Sequence, residues 1–369
     1  MQIQQNLEDA YKNNIYVSIP ANYIEANPIK GIILEKMLWT ENDKSIFNNT
    51  KKNASSIPML LEKIDEAISE ISDDYNDEQI IWYRGQKDSS YLLIPSLYRM
   101  KDQKEKFYNS NLRTVFEALY DGFKVRSFGT TEIYHDGNNS VMGVMTSMQH
   151  YCVPTNILDW TLSAFVAMYF AVEDTIIKIK KGNKKTENDK DAIIWLLNPI
   201  RLNQANEFLR SSVSNACNHD KLKEYPLPSL LGNESKYIEY IPFSGSKESK
   251  IEYPIAVNAP FVNPRVKSQL GTFTMFSLDV EGDPGKKANE RIFKKYDLFS
   301  LQEEYRNKIE PTGMNYKKFL TGVVIKGSCR YDLAKWLIKM GMDKPNIYPE
   351  LTNISQSLTE QLRKYYESL

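Results

Sequence analysis

Arg84 stands at the end of an apolar stretch, IIWYR, and is followed directly by Gly85. Burying a guanidinium is costly, so an arginine at such a place needs a carboxylate or an anionic ligand as its partner. Its planar fork can hold a phosphate or a carboxylate through two parallel hydrogen bonds. Two interpretations stay open: Arg84 binds a ligand in a cleft, or it pairs inside the protein with a carboxylate such as Asp159.

A second polar cluster lies in the stretch 148–172, MQHYCVPTNILDWTLSAFVAMYFAV. Its second half is an apolar run that predicts a core helix beginning near Ala164. Polar groups packed against such a helix must be hydrogen-bonded, or they line a pocket. Its polar members include Gln149, His150, Tyr151, Asp159, Thr161 and Ser163.

Three of these side chains can cap the predicted helix: Asp159, Thr161 or Ser163. A helix N-terminus also attracts phosphate, so the same turn could present hydroxyls and the Trp160 indole to a ligand. His150 is one of only three histidines, and a lone histidine is more often a hydrogen-bonded core residue than a catalyst.

Gln269 follows Arg265 by four residues, which places both on one face of a helical turn. A neutral amide can orient a ligand, but it cannot act as a general base.

The composition argues against several classes of function. The 369 residues carry 47 basic and 47 acidic side chains, so global charge does not favour nucleic-acid or membrane binding. The three cysteines are far apart and form no CxxC pair, so we predict no metal site and a reducing, cytoplasmic compartment. No apolar run approaches membrane-spanning length.

The elements that must position these residues alternate between strands and helices. We predict an N-terminal extension at 1–54 with short strands at 14–19 and 31–38, and one domain at 55–369 that ends in helices. The fold class is α+β, with strands flanked by helices. Further predicted strands lie at 80–84, 192–197, 251–257, 272–278 and 319–326. Predicted helices lie at 59–71, 101–128, 141–150, 331–340 and 351–366.

Six short motifs follow one another along the chain: WYRGQ (82–86), PSLYR (95–99), QHY (149–151), LDWT (158–161), AMYFA (167–171) and YPEL (348–351). Together they resemble the FRG domain, which is named for a Phe-Arg-Gly motif, with Tyr83 in place of its Phe. The resemblance spans about 56–365.

FRG domains are in turn distantly similar to ADP-ribosyltransferases, whose first motif is a strand ending in Tyr-Arg-Gly. That resemblance implies an ADP-ribosyltransferase-like mixed core and NAD as the bound nucleotide, with no metal. The implied catalytic residues are Arg84, Asp159 and Gln269. The implied NAD-binding residues are Arg84, Gly85, Gln86, His150, Tyr151, Trp160, Thr161 and Ser163.

The third motif of those enzymes carries a catalytic glutamate, and its nearest counterpart by order is Gln269. A carboxylate stabilises the oxocarbenium-like state of ADP-ribosyl transfer and orients the nucleophile. Without it, activity is absent, altered or supplied by another acid such as Asp159 or Glu173.

Three functional hypotheses follow. The first is an enzyme that cleaves NAD and transfers ADP-ribose to a protein, a nucleic acid or water, in a toxin or antiphage setting. The second is a non-catalytic module that senses a nucleotide or nucleic acid in a bacterial defence system. The third is purely structural: Arg84, Asp159, His150 and Gln269 form one buried polar network.

Overall fold

The computed structural model describes residues 32–34, 51–72, 80–102, 112–127, 141–182, 189–214, 253–258, 264–278 and 297–367. The predicted strand at 14–19 and most of the segment 200–250 lie outside these ranges. The described strands are β1 Ile32–Leu34, β2 Lys51–Ala54, β3 Trp82–Gln86, β4 Met100–Asp102, β5 Ile157–Thr161, β6 Ala192–Leu197, β7 Ile255–Val257, β8 Gly271–Met275 and β9 Leu320–Ile325. The described helices are α1 Ile57–Ile71, α2 Leu112–Ser127, α3 Val141–His150, α4 Ala164–Lys180, α5 Pro199–Ser214, α6 Pro264–Ser268, α7 Leu298–Ile309, α8 Gly327–Lys339, α9 Lys344–Ile347 and α10 Leu351–Glu367.

Seven strands form one mixed sheet in the order β2-β9-β6-β3-β5-β8-β7. Only the β2–β9 pair is parallel, and the other described pairs in this sheet are antiparallel. A mixed sheet flanked by helices confirms the α+β class. The edge strand β2 comprises the last four residues of the predicted extension, and β1 pairs with β4 in a separate two-stranded sheet.

Both faces of the sheet are covered. Strand β6 shows this most clearly, because its side chains alternate between two buried cores. Trp195 belongs to the core beneath α2, α3, α5 and α7. Ile194 belongs to the core beneath α1, α4 and α8. Strands buried on both faces are apolar throughout, as the sequence of β6, AIIWLL, shows.

Local sequence signals place the helices well. Ser56 caps α1 by accepting a hydrogen bond from the Met59 amide, with proline in the first turn. Ser163 caps α4 by accepting from the Val166 amide. Of the three capping candidates for α4, Ser163 makes this bond.

Two predictions of extent are wrong. Strand β3 does not end at Arg84 but continues to Gln86, because Gly85 and Gln86 pair with β6. Residues 101–102, the first two of the helix predicted at 101–128, belong to β4 and pair with β1, and the described helix covers Leu112–Ser127.

Candidate functional site

Strand β3 holds Arg84 in the middle of the sheet, opposite Trp195 of β6. Its Nη1 atom donates to the backbone carbonyl oxygen of Asp159 at 2.5 Å. The Asp159 carboxylate is farther away, with Oδ2 at 4.0 Å from the same nitrogen. The buried Nε of Arg84 has no hydrogen-bond partner among the described residues. One side of the guanidinium is therefore tied to the protein, and another side lacks a partner.

The charge on Arg84 is costly in this position. The pKa of Arg84 is lowered to about 10, mainly by burial; the charge of Asp159 opposes this shift and that of Arg99 adds to it. The side chain still carries its charge at neutral pH because that pKa lies well above 7. An anion bound beside Arg84 would offset the cost.

Arg84 opens onto a cavity of about 560 Å³, within the range of about 300–1,000 Å³ that is usual for small-molecule sites. Most of the predicted site residues line this cavity. They are Arg84, Gly85, Gln86, His150, Asp159, Trp160, Thr161 and Gln269.

Two predicted residues lie outside the cavity lining. Ser163 uses its hydroxyl to cap α4. Tyr151 packs its ring edge-on against His150 at 4.6 Å and near Phe123 at 6.3 Å. Their ligand roles remain predictions from the resemblance.

Thr161 and Gln269 contact each other, and their side chains form hydrogen bonds within the protein. The Thr161 hydroxyl donates to the backbone oxygen of Gln269 at 2.6 Å and accepts from the Ser163 amide at 3.0 Å. The Gln269 side-chain amide donates to the carbonyl oxygen of Ile347 at 3.1 Å. These bonds fix the junction of β5, α6 and α9 at the cavity wall.

Trp160 and Gln86 are buried and also hydrogen-bonded inside the protein. The Trp160 indole nitrogen donates to the Thr274 hydroxyl at 3.1 Å. The Gln86 side-chain oxygen accepts from the Trp195 indole at 2.8 Å. Their side chains shape the cavity floor, and their polar atoms are occupied.

The position of Gly85 requires glycine because α4 packs directly against it. A Cβ at this position would lie 1.8 Å from the backbone oxygen of Ala167 and 2.7 Å from the backbone nitrogen of Ala171. Only glycine lets α4 approach β3 this closely.

A polar chain supports Asp159, whose carboxylate is about half exposed, at 51%. Oδ2 of Asp159 accepts from the Gln149 amide at 2.7 Å. The Gln149 side-chain oxygen in turn accepts from the Thr155 hydroxyl. This chain connects α3 to β5 and orients the carboxylate toward the cavity.

His150 belongs to a separate cluster with Arg265 and Glu350. Arg265 donates from Nε to Glu350 Oε1 at 2.7 Å and from Nη1 to the His150 carbonyl oxygen at 3.2 Å. The His150 Nε2 atom lies 3.8 Å from the same carboxylate. Burial raises the pKa of Glu350, but Arg265 and hydrogen bonds bring it below its usual value. Of the predicted four-residue network, Arg84 and Asp159 contact each other, whereas His150 lies with Arg265 and Glu350 and the Gln269 amide bonds to Ile347.

Several side chains of the cavity lining were not among the predicted site residues, including Lys87, Arg99, Phe170 and Tyr348. Glu173, which the sequence offered only as a substitute acid, also lines the cavity. Arg99 ends the short 3-10 turn at Leu97–Arg99 and donates from Nε to the Pro95 oxygen at 3.4 Å. Burial lowers the pKa of Arg99, as it does for Arg84. The signal for Arg99 was its place in the PSLYR motif.

Positive side chains outnumber negative ones in the described lining, so the cavity favours an anionic ligand. The cations are Arg84, Lys87, Arg99 and Arg265, and the carboxylates are Asp159 and Glu173. Arg265 is already paired with Glu350, which lies just behind the cavity wall.

The motif residues on β3 and β5 also agree with a known family. Residues 79–178 match the FRG domain. The match supports the resemblance over about a quarter of the chain, and it includes Arg84, Arg99, Asp159 and Glu173. Gln269 lies outside the matched residues. No curated protein and no solved structure matches the chain.

Two further properties concern all the residues that the structure describes. None of their helices combines the length and the apolar content that crossing a membrane requires. Nor do they bring three His, Cys, Asp or Glu side chains together in a way that could hold a metal ion.

Proposed function

We propose that the cavity binds NAD and that the protein is an ADP-ribosyltransferase-like enzyme. It would cleave the nicotinamide bond and transfer ADP-ribose to a protein, a nucleic acid or water. The observation that carries the proposal is the position of two partly buried guanidiniums, Arg84 and Arg99, at one cavity. Asp159 is the carboxylate that acts on both of their charges.

A diphosphate fits this arrangement because its negative charges and its many acceptor oxygens match two guanidinium forks. The unpartnered Nε of Arg84 is a donor still to be satisfied. Aromatic side chains in the same lining, such as Phe170 and Tyr348, offer apolar surface to a base or a nicotinamide ring.

The other implied residues take supporting roles in this proposal. Asp159 and Gln269 orient the ligand or the attacking group. Gly85, Gln86, Trp160 and Thr161 form the wall that the ligand contacts. The toxin or antiphage setting rests on the FRG resemblance alone.

The test is to incubate the protein with NAD, follow free nicotinamide by chromatography and measure NAD affinity by calorimetry. Arg84→Gln removes the fork, and Arg306→Gln serves as a matched control because Arg306 is an exposed arginine on α7. We expect the wild type and the control to bind NAD and release nicotinamide. Arg84→Gln should lose at least about tenfold in affinity, since a charge-assisted pair contributes about 1.5–3 kcal/mol.

Wild-type protein that neither gains thermal stability from NAD nor releases nicotinamide would contradict the proposal. Arg84→Lys adds a useful comparison because it keeps the charge without the fork. Melting temperatures of all variants separate loss of ligand binding from unfolding. The structural hypothesis predicts that Arg84→Gln unfolds the protein.

A non-catalytic nucleotide-sensing module is the second candidate, and one observation favours it. Gln269 stands where the resemblance places a catalytic glutamate, and its amide donates to Ile347. Binding to the native state alone raises apparent stability. NAD-induced stabilisation without nicotinamide release, in the presence of candidate acceptors, would therefore favour the sensor.

A further inference from the structure

Glu173 is the second carboxylate of the cavity lining, and it comes from a different element than Asp159. It lies on α4, three residues after Phe170, and both side chains face the cavity. Helix α4 is well anchored, because Ser163 caps it and Gly85 lets it pack directly on β3. The carboxylate is therefore held on a rigid element.

Tyr348 holds the Glu173 carboxylate through a hydrogen bond between the two side chains. The Tyr348 ring is itself fixed on several sides. Its centroid lies 6.2 Å from that of Phe170 and 6.5 Å from that of Tyr169, and the Arg265 guanidinium stacks over it at 5.0 Å. Burial raises the pKa of Tyr348 well above its usual value, so its hydroxyl stays protonated and donates.

The surroundings of Glu173 shift its pKa in opposing directions, and the net shift is upward. Burial raises the pKa of Glu173 above its usual value, and the Tyr348 hydrogen bond partly opposes that shift. Lys87 and Lys344 also lower it, whereas Asp174, which pairs with Arg330, raises it. A carboxylate with a raised pKa in a cavity is suited to accept a proton and release it again.

We propose that Glu173 is the proton-accepting residue of this cavity and that Tyr348 is its positioning residue. The inference rests on the proposed NAD-cleaving function. Water or an acceptor hydroxyl attacks C1′ of the nicotinamide ribose, and its proton passes to the Glu173 carboxylate. The bond from C1′ to the nicotinamide nitrogen breaks, and its electron pair stays on the nitrogen, so neutral nicotinamide leaves. Glu173 then returns the proton to solvent.

The first experiment compares Glu173→Gln with Glu62→Gln, which changes an exposed glutamate on α1. Nicotinamide release and NAD affinity are measured for both. Glu173→Gln should lower kcat by about 10²-fold or more, the usual size of a lost proton transfer, and change the NAD affinity less than about threefold. Glu62→Gln should behave as the wild type.

The second experiment measures kcat against pH for Tyr348→Phe. Removing the hydroxyl removes a bond that lowers the pKa of Glu173, so the acid limb of the profile should move to higher pH. A merely structural role of Tyr348 would change the height of the profile and leave the limb where it is. If Glu173→Gln does not fold, the pH profile of Tyr348→Phe is the deciding measurement. An acid limb at the same pH as in the wild type then overturns the inference.

The outcomes separate this inference from the proposed function. If the wild type releases nicotinamide and folded Glu173→Gln does so at the same rate, Glu173 is not the proton acceptor, while the enzyme proposal stands. If the wild type binds NAD without releasing nicotinamide, both the enzyme proposal and the role of Glu173 are overturned.

Discussion

Arg84 and Asp159 are joined more closely through the backbone than through their charges. The guanidinium donates to the Asp159 carbonyl oxygen at 2.5 Å, whereas the carboxylate oxygen is 4.0 Å away and half exposed. The carbonyl sets the position of the arginine, so the carboxylate is available to a ligand or a nucleophile. Arg84 can therefore be a buried structural residue and a ligand-binding residue at once.

Asp159→Asn should keep the fold, because the side chain is half exposed and its ion pair is long. We expect the free energy of unfolding to change by about 1 kcal/mol or less. Affinity for inorganic pyrophosphate should rise about two- to fivefold, since a negative charge near Arg84 and Arg99 is removed. Urea unfolding and calorimetry measure the two quantities. Asp65→Asn on α1 is the control, and weaker pyrophosphate binding by Asp159→Asn alone would show that the carboxylate does not compete with the anion.

Gly85→Ala should destabilise the protein by about 3 kcal/mol or more, because the new Cβ meets the backbone of α4 and neither element can yield cheaply. Gly271→Ala is the matched control: its Cβ would lie 3.2 Å from a side-chain methyl of Val266, which can shift. The control should cost about 1 kcal/mol or less. Chemical denaturation measures both. Equal stabilities of the two variants would mean that α4 is not seated on Gly85.

Glu70 should make the sheet edge sensitive to acid. It bonds Lys52 of β2, Lys318 and the Thr321 hydroxyl. Burial raises the pKa of Glu70, but the two lysines and Thr321 bring it below its usual value. Because the pKa of Glu70 is lower in the folded protein, its carboxylate stabilises the fold fully above its pKa in the unfolded chain, about 4.3. That stabilisation is lost as the pH falls through the pKa of Glu70 in the folded protein.

Glu70→Gln should therefore cost about 1 kcal/mol at pH 7, a small value because the carboxylate is about one-third exposed. The difference from the wild type should shrink below about pH 4. Urea unfolding between pH 3 and 7 measures it, with Glu62→Gln as control. A difference that stays constant over this range would exclude the ion pairs as its source.

Ser163→Ala should destabilise the protein by about 1 kcal/mol, because it leaves the Val166 amide of α4 without its cap. Ser163→Asp should restore most of that stability, since aspartate also caps helices. Thermal and urea unfolding compare the three proteins. An aspartate variant with wild-type stability that binds NAD less tightly would support the ligand role that the resemblance implies for Ser163.

Local signals in the sequence determine much of the fold. The capping serines Ser56 and Ser163 and the apolar strand at Ala192–Leu197 are predictable because caps and hydrophobic periodicity involve residues close in sequence. The errors at Gly85 and at 101–102 have the opposite cause. Strand β3 extends because of β6, more than a hundred residues later, and β4 exists because it pairs with β1.

The sequence by itself also determined which motif residues could form a site, and the tertiary structure decided what each of them contacts. Arg84, Asp159 and Gln269 line one cavity, yet the amide of Gln269 binds Ile347. Lys87 and Arg99 joined the candidate site only because the folded chain brings them to the same cavity. A side chain's type shows what chemistry it can perform. Its partners come from distant parts of the chain, so only the packed structure decides whether that chemistry is directed at the protein or at a ligand.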